Sequence, residues 1–403
     1  MSEPTITTPA RGNDRRIIGY KAFDPDFKCR GFQYEVGKTF EHEGKIELYS
    51  EGFHFCHNNP LDAFDHYQLV DREDARPIRL AKISATKKDT IVSLTGNACV
   101  TSKISIDKEI TLDELIKEQV EKACNSKGKS GGRAKLLIAT KCGLALTDKK
   151  TYTRIISDNE DTRVALTHDR SMALATETPS CLASSGIYTK LFATGGFACL
   201  SSSGYGAGIY NSGFLPSTSA SGARSTLRIT GDQASVTSSG AESALYVSSI
   251  KASVATSGTY SKLRIIGDQT SVASSGGAST LYISGIKASV ATSGARSTLR
   301  ITGDQASVAT SGSQSTLTVT GKSARMTVVG NDSLVTYEGE DGVISVLGED
   351  AKFKGSKGTL VLAVTYNRHG KPRGGLVGRI GEDGLKPDTL YTVSDGEFVE
   401  VEA

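Results

Sequence analysis

The stretch RSTLRITGDQASVATSG runs from Arg296 to Gly312, and RSTLRITGDQASVTSSG runs from Arg224 to Gly240. The two copies begin 72 residues apart, and the text between them paraphrases the same words. Glycine recurs every nine residues from Gly186 to Gly348, with Ser249 the one substitution. The fifth residue after each glycine is apolar, as in Leu227, Val236, Leu245 and Val254, with Thr218 the polar exception. The third and seventh positions are small or apolar, and the even positions are polar. Alternation with period two marks a strand with one buried face. The glycine beat predicts a turn, where a positive φ carries no Cβ penalty. L-x-I units alternate with A-x-V-x-T/S units, so one coil takes 18 residues: strand, turn, strand, turn. Such coils stack into a two-sided parallel β-solenoid, each burying its thin apolar face only against its neighbours. At ~4.8 Å per rung, about nine coils give a rod of roughly 40–45 Å.

A 36-residue pattern lies on top, because L-R-I recurs at Leu227, Leu263 and Leu299 and L-Y-V/I at Leu245 and Leu281. Outward positions then stack as Arg228, Tyr246, Arg264, Tyr282 and Arg300. Guanidinium over phenol at one rung spacing is a cation–π ladder, worth ~0.5–1 kcal/mol per exposed contact. The turns alternate Asp232, Ile250, Asp268, Ile286 and Asp304, which keeps like charges off adjacent rungs. From Gly222 to Gly330 there are ten basic and four acidic residues. The ladder is therefore a candidate surface for an anionic partner, nucleic acid included. The opposite side shows Ser253, Ala255, Ser271 and Ala273, a flat Ser/Ala strip suited to packing a second copy or another protein. Calcium β-rolls need G-G-x-G-x-D turns, which are lacking here.

Bulk properties exclude several classes. Net charge is +3, from 47 basic and 44 acidic residues, and Trp is absent. That argues against an acidic nucleic-acid mimic. The seven cysteines are widely spaced, with no C-x-x-C, and the first residues are polar. The expectation is reduced thiols in a cytosolic compartment. No run approaches the ~18 apolar residues that a membrane span needs.

Before the solenoid, RRIIGYKAF, CRGFQYEVGK, SEGFHFC and RPIRLAKISA read as strands. NPLDAFDHYQ reads as a short helix, with Asn58 or Asn59 as N-cap and Pro60 in its first turn. This outlines a small α/β module over 14–95. T-L-D-E-L-I-K-E-Q-V-E-K-A-C is an amphipathic helix with a Thr111/Glu114 capping box, placed to cap the solenoid or to dock on the module. NSKGKSGGRAK, 125–135, is a basic linker. The expected order is a flexible N-terminus over 1–13, the module, the helix and linker over 96–135, the solenoid over 136–357 and a β-meander cap over 358–403. Regular repeats fill 186–348, preceded by irregular early coils. In the cap, Asp395-Gly396 is a hairpin signal, and His369, Lys371, Arg373 and Arg379 form a basic loop cluster.

The run Gly19-Tyr20-Lys21, then Cys29 to Lys38, then Gly52-Phe53-His54-Phe55-Cys56 and Pro60-Leu61-Asp62, resembles a family of modules encoded by bacteriophages and prophages. Those proteins continue into Ser/Gly-rich repeats. The resemblance implies a phage origin and brings no activity with it. Tyr20, the G-F-H-F strand and the Pro60 helix also look like the front half of small ADP-ribosyltransferase-type folds, with Glu35 and Glu51 as the candidate acids. No Ser–His–Asp order, P-loop or H-E-x-x-H is present. Cys56, His57 and His66 are a conceivable metal set, but strand alternation does not converge them.

The expectation is a mainly β, non-enzymatic binding protein without cofactor, metal or membrane contact. The solenoid presents surfaces to a host or phage macromolecule in the host cytoplasm, with inhibition of a host defence protein as the leading role. The alternatives are a virion or tail component and the ribosyltransferase-like enzyme. Arg228, Tyr246, Arg264, Tyr282, Arg300, His54 and Tyr20 are the candidate partner-binding residues.

Overall fold

The computed structural model describes residues 15–57, 59–93, 98–125, 135–139, 145–147, 153–158, 160–367 and 369–401. The 1–13 segment, Asn58 and nearly all of the 125–135 linker lie outside them. The chain divides into two compact units, one holding residues to Tyr67 and from Ile78 to Arg133, the other Gln68–Pro77 and Ala134–Ala403.

The second unit is a β-solenoid of about 12 turns. Its coils are two-sided: Thr226–Ile229, Ala244–Ser248 and Lys262–Ile266 stack in one parallel sheet, and Ser235–Ser238, Ser253–Thr256 and Ser271–Ser274 in the other. Register is offset by 18 residues from coil to coil, as in Leu227↔Leu245 and Val236↔Val254, until the last parallel step, where Val343 pairs with Leu360 at an offset of 17. Leu227, Ile229, Val236 and their equivalents are buried in one continuous core. The early coils are as regular as the later ones, since Thr153–Ser157 pairs with Met172–Ala175 and Thr162–Leu166 with Ser180–Ser184 at the same offset.

The glycines act differently from the expectation. Most of those on the beat do not have φ in the left-handed region; the residue two places later does, as in Arg224, Gln233, Glu242 and Lys251, with φ between 55° and 57°. Each such residue turns the corner, and its N–H bonds a carbonyl one coil on, as from Gln233 to Ile250 and from Lys251 to Asp268, both at 2.8 Å. The glycine instead allows close approach. A Cβ on Gly222, Gly231 or Gly276 would fall onto the carbonyl oxygen of the residue 18 places earlier, well inside the 3.0 Å that real Cβ atoms keep. The turn aspartates also have a direct role. Asp268 Oδ1 accepts from Ile286 N–H at 2.8 Å, and Asp304 Oδ1 from Lys322 N–H at 2.9 Å, so each carboxylate ties its corner to the next coil.

The stack ends by changing direction. Pro372–Arg379 pairs antiparallel with Leu360–Tyr366, so Arg373 and Arg379 of the basic cluster lie on a strand, while His369 and Lys371 precede it. Tyr391–Ser394 and Glu397–Glu400 form a hairpin around Asp395 and Gly396, both at positive φ.

The first unit is a seven-stranded antiparallel sheet in the order Thr39–Glu41, Lys103–Ile110, Arg79–Thr86, Arg16–Phe23, Phe53–Cys56, Ala98–Thr101, Thr90–Val92. The sheet thus continues beyond residue 95, and the module is more β than α. Residues 60–65 form a 3-10 helix with Asn59 before it and no side-chain cap bond. CRGFQYEVGK is not one strand: Lys28–Cys29 and Phe32–Gln33 form a minimal hairpin around Arg30 and Gly31, both at positive φ. That is the type I′ pattern, in which arginine is an uncommon first residue. The helix Leu112–Asn125 is capped as expected: Thr111 Oγ1 accepts from Glu114 N–H at 3.1 Å and Glu114 accepts from Thr111 N–H at 2.7 Å. It packs within this unit, where Gln119 accepts a bond from Leu61 N–H.

Candidate functional site

Three surfaces carry chemistry. The first is the Arg/Tyr ladder, whose register is Tyr210, Arg228, Tyr246, Arg264, Tyr282, Arg300 on successive coils. Arg264 lies 4.9 Å from the Tyr282 ring centre, and Arg228 lies 5.8 Å from that of Tyr210. The sequence missed that the chain supplies its own cover. Residues 68–77 belong to the solenoid unit, and Arg264 Nε donates to Asp74 O at 3.0 Å, Arg72 donates to Arg224 O at 2.6 Å and Thr226 bonds Gln68 at 3.3 Å. Arg228, Tyr246, Arg264 and Tyr282 are half-buried, and Arg300 is exposed.

The second surface is the Ser/Ala side. It forms a groove of ≈ 720 Å³ running along the coils from Ser184 to Val329. Exposed Ala255, Ala273 and Ala291 alternate across it with exposed Ser257, Ser275 and Ser293. Among the described residues no charged side chain lines it. Beside it, Cys181 and Cys199 pair on adjacent coils and line a smaller hollow of ≈ 400 Å³, both exposed and both free thiols.

The third surface is a cavity of ≈ 710 Å³ in the first unit. Aromatic residues Phe32, Tyr34, Tyr49, Phe53 and Tyr67 line it together with Lys21, Cys29, Arg30 and His54. Lys21 is 4% exposed, and its Nζ donates to His54 O at 2.8 Å and meets Cys29 Sγ at 3.5 Å. Burial lowers its pKa, against a smaller opposing effect of Cys29. Cys29 Sγ also meets the Tyr67 hydroxyl at 2.7 Å. Arg30 donates to Ser50 O at 2.7 Å and to Tyr49 O at 3.3 Å, which closes the hairpin onto the rim loop.

The two head residues singled out in the sequence are both engaged. Tyr20 is buried, its hydroxyl donates to Glu118, and Lys122 lies 4.6 Å from its ring centre. His54 Nε2 accepts from Tyr49 N–H at 2.8 Å, so that nitrogen carries no proton and the neutral ring is protonated on Nδ1. The Glu47 carbonyl, 3.2 Å from the same nitrogen, is then a neighbour and not a partner. Glu35 and Glu51 are exposed. Among the described residues no group of three His, Cys, Asp or Glu gathers as a metal site.

A prediction follows from His54. Burial, then the Arg30 and Lys21 charges, lower its pKa from the usual 6.5. The unfolded chain takes up a proton near pH ~6.5 while the folded ring resists, so stability is full above that value and falls as pH drops toward the folded pKa. The unfolding transition of the first unit is expected at lower temperature at about pH 5.5 than at about pH 7.5. The shift should shrink in His54→Gln, whose amide oxygen still accepts the Tyr49 N–H; an equal shift in both proteins would remove His54 as its source.

Residues 17–118 match the model of a domain of unknown function, DUF7666, and residues 292–350 match that of a protein of unknown function, DUF3060. The first match spans the seven-stranded unit from its first strand into its helix, and the second covers late coils of the solenoid. No curated protein and no solved structure matches the chain.

Proposed function

We propose that the chain is a phage-encoded, non-enzymatic binding protein in which the solenoid is a rigid platform for a protein partner. A solenoid is suited to a binding or structural role because each coil is fixed by its neighbours and presents side chains at a constant repeat. The observation that carries the reading is the Ser/Ala groove, unbroken along the coils and free of charged side chains. Alanine and serine lose little side-chain entropy when covered, and their small size lets another backbone approach closely. The Arg/Tyr ladder is the weaker platform, because residues 68–77 already engage part of it. The phage origin rests on the CRGFQYEVGK and GFHFC wording, and with it a host protein, such as a defence component in the host cytoplasm, is the proposed target.

The test is affinity capture from host lysate with the full chain and with Ala273→Arg/Ala291→Arg, which puts two long cations into the groove while their neighbours keep the core. Recovery of a stoichiometric host protein by the wild type, lost in the variant, is the expected result. Capture unchanged by the variant removes the groove as the platform. No captured protein, with the chain found in purified particles, replaces the host-binding role by a virion role.

A further inference from the structure

The cavity of the first unit holds a charge problem that its own residues do not solve. A buried ammonium is costly unless an anion accompanies it. Lys21 is an uncommon residue for its place: it interrupts the apolar strand RIIGYKAF yet is 4% exposed. Its contacts are a carbonyl oxygen, a thiol and two rings, those of Phe23 and Tyr34, at 5.6 and 5.4 Å. Among the described residues neither Lys21 nor Arg30 forms an ion pair with a carboxylate. Among the described residues Glu51 is the one carboxylate lining the cavity, and it is exposed.

The walls add a second, independent feature. Phe32 and Tyr49 are large aromatic side chains left 45% and 59% exposed, and both line this cavity. Phe32 sits on a packed aromatic base, 4.8 Å from Tyr34 and 5.8 Å from Phe53 between ring centres. Arg30 and Tyr49 both adopt left-handed backbone, with φ of 52° and 68°. For residues other than glycine that conformation carries strain of ~1–3 kcal/mol, and such strain collects at ligand clamps. Two strained rim residues are joined to each other by the Arg30–Tyr49 O bond. The hairpin and the rim loop are therefore tied together through the Arg30 guanidinium before any ligand arrives.

We propose that this cavity binds a nucleoside phosphate, with its base against the Phe32/Tyr34/Tyr49 walls and its phosphate on Lys21 and Arg30. The volume suits a ligand of this size, since small-molecule sites span ~300–1,000 Å³. Every base has a π-face for an aromatic wall, and stacking is worth ~1–3 kcal/mol per base. The guanidinium offers a planar fork to phosphate oxygens, and the ammonium a point charge. The phosphate would supply the counter-charge that Lys21 lacks. The site lies wholly in the first unit and does not depend on what the solenoid binds.

The test is calorimetric titration of the full chain with the four ribonucleoside 5′-monophosphates, with adenosine and with inorganic phosphate. At least one monophosphate is expected to bind with a Kd below about 1 mM, and adenosine and inorganic phosphate each at least about tenfold more weakly. Arg30→Gln changes an exposed side chain and should keep the fold; it is expected to weaken the bound nucleotide about tenfold or more. Lys21→Met should do the same, and if it fails to fold Arg30→Gln decides alone. The proposal is overturned if no monophosphate binds, if adenosine or phosphate alone binds as tightly as the nucleotide, or if Arg30→Gln binds unchanged.

Discussion

Gly195→Ala is expected to disrupt the solenoid, and Gly196→Ala, one residue on, to leave it nearly intact. A Cβ at Gly195 would fall onto the carbonyl oxygen of Glu177, the residue 18 places earlier. A Cβ at Gly196 would find its nearest neighbour, the Phe214 oxygen, at 3.6 Å, an ordinary contact. Neither glycine has a positive φ, so backbone freedom does not distinguish them. Relief at position 195 requires two coils to separate at that corner. The strands on either side, Lys190–Ala193 and Cys199–Ser202, are hydrogen-bonded to the coils before and after and cannot follow. Overpacking costs ~1–3 kcal/mol and occasionally more, and a clash with backbone that cannot move belongs at the upper end. Because a solenoid is a sum of nearest-neighbour interfaces, the loss falls on one interface and splits the stack there. Hydrogen exchange followed by peptide should show protection lost around 175–215 in Gly195→Ala and kept in Gly196→Ala. Similar exchange in the two variants would return the glycine beat to a matter of backbone freedom.

That contrast marks the limit of what the sequence makes legible. The period of 18, the inward Leu and Val files and the order of the Arg/Tyr ladder can all be read from spacing, because each coil repeats the last. Why the glycines are there cannot. A nine-residue beat looks the same whether glycine turns the corner or lets two backbones touch. The early coils show the other side of this. Without glycine on the beat, Asp161 and Arg170 still take the left-handed conformation and the register of 18 holds. The pattern of small and apolar inward residues therefore sets the coil length, and glycine tightens the corners.

The cavity was less legible for a topological reason. Lys21, Cys29, His54 and Tyr67 come from four segments that only antiparallel pairing and the Cys29 hairpin bring together. The one local signal was Lys21 itself, a charge at the centre of an apolar strand. The sequence did place His54 in this module, but its strand alternation could not show that the ring is turned to the 47–49 backbone. The cover on the Arg/Tyr ladder was illegible for the same reason, since residues 68–77 are about 150 to 190 positions away from the arginines they meet.

Phe353→Ala is expected to have the largest effect at the other end of the stack. Phe353 is fully buried on the last parallel strand of its sheet, Lys352–Gly355, and is the residue that pairs with Tyr391 of the terminal hairpin. Its ring stacks on Tyr391 at 5.8 Å and meets the edge of Phe398 at 5.5 Å. One ring thus joins the core of the last coil to both strands of the cap. Truncating a buried phenylalanine to alanine costs ~3–5 kcal/mol, and here the loss falls on the hairpin. The cap shields an open sheet edge, and its outer strand Glu397–Glu400 ends in carboxylates at Glu397 and Glu400, charges that discourage edge pairing. With the hairpin released, Lys352–Gly355 becomes a bare edge above an exposed apolar core. Phe353→Ala should therefore lose amide protection over 391–400 and associate as its concentration rises in sedimentation velocity. Phe398→Ala, which removes a partly buried ring from the same cluster, should show a weaker form of both effects. A Phe353→Ala protein that keeps its hairpin protected would mean that the antiparallel pairing, and not the ring, holds the end closed.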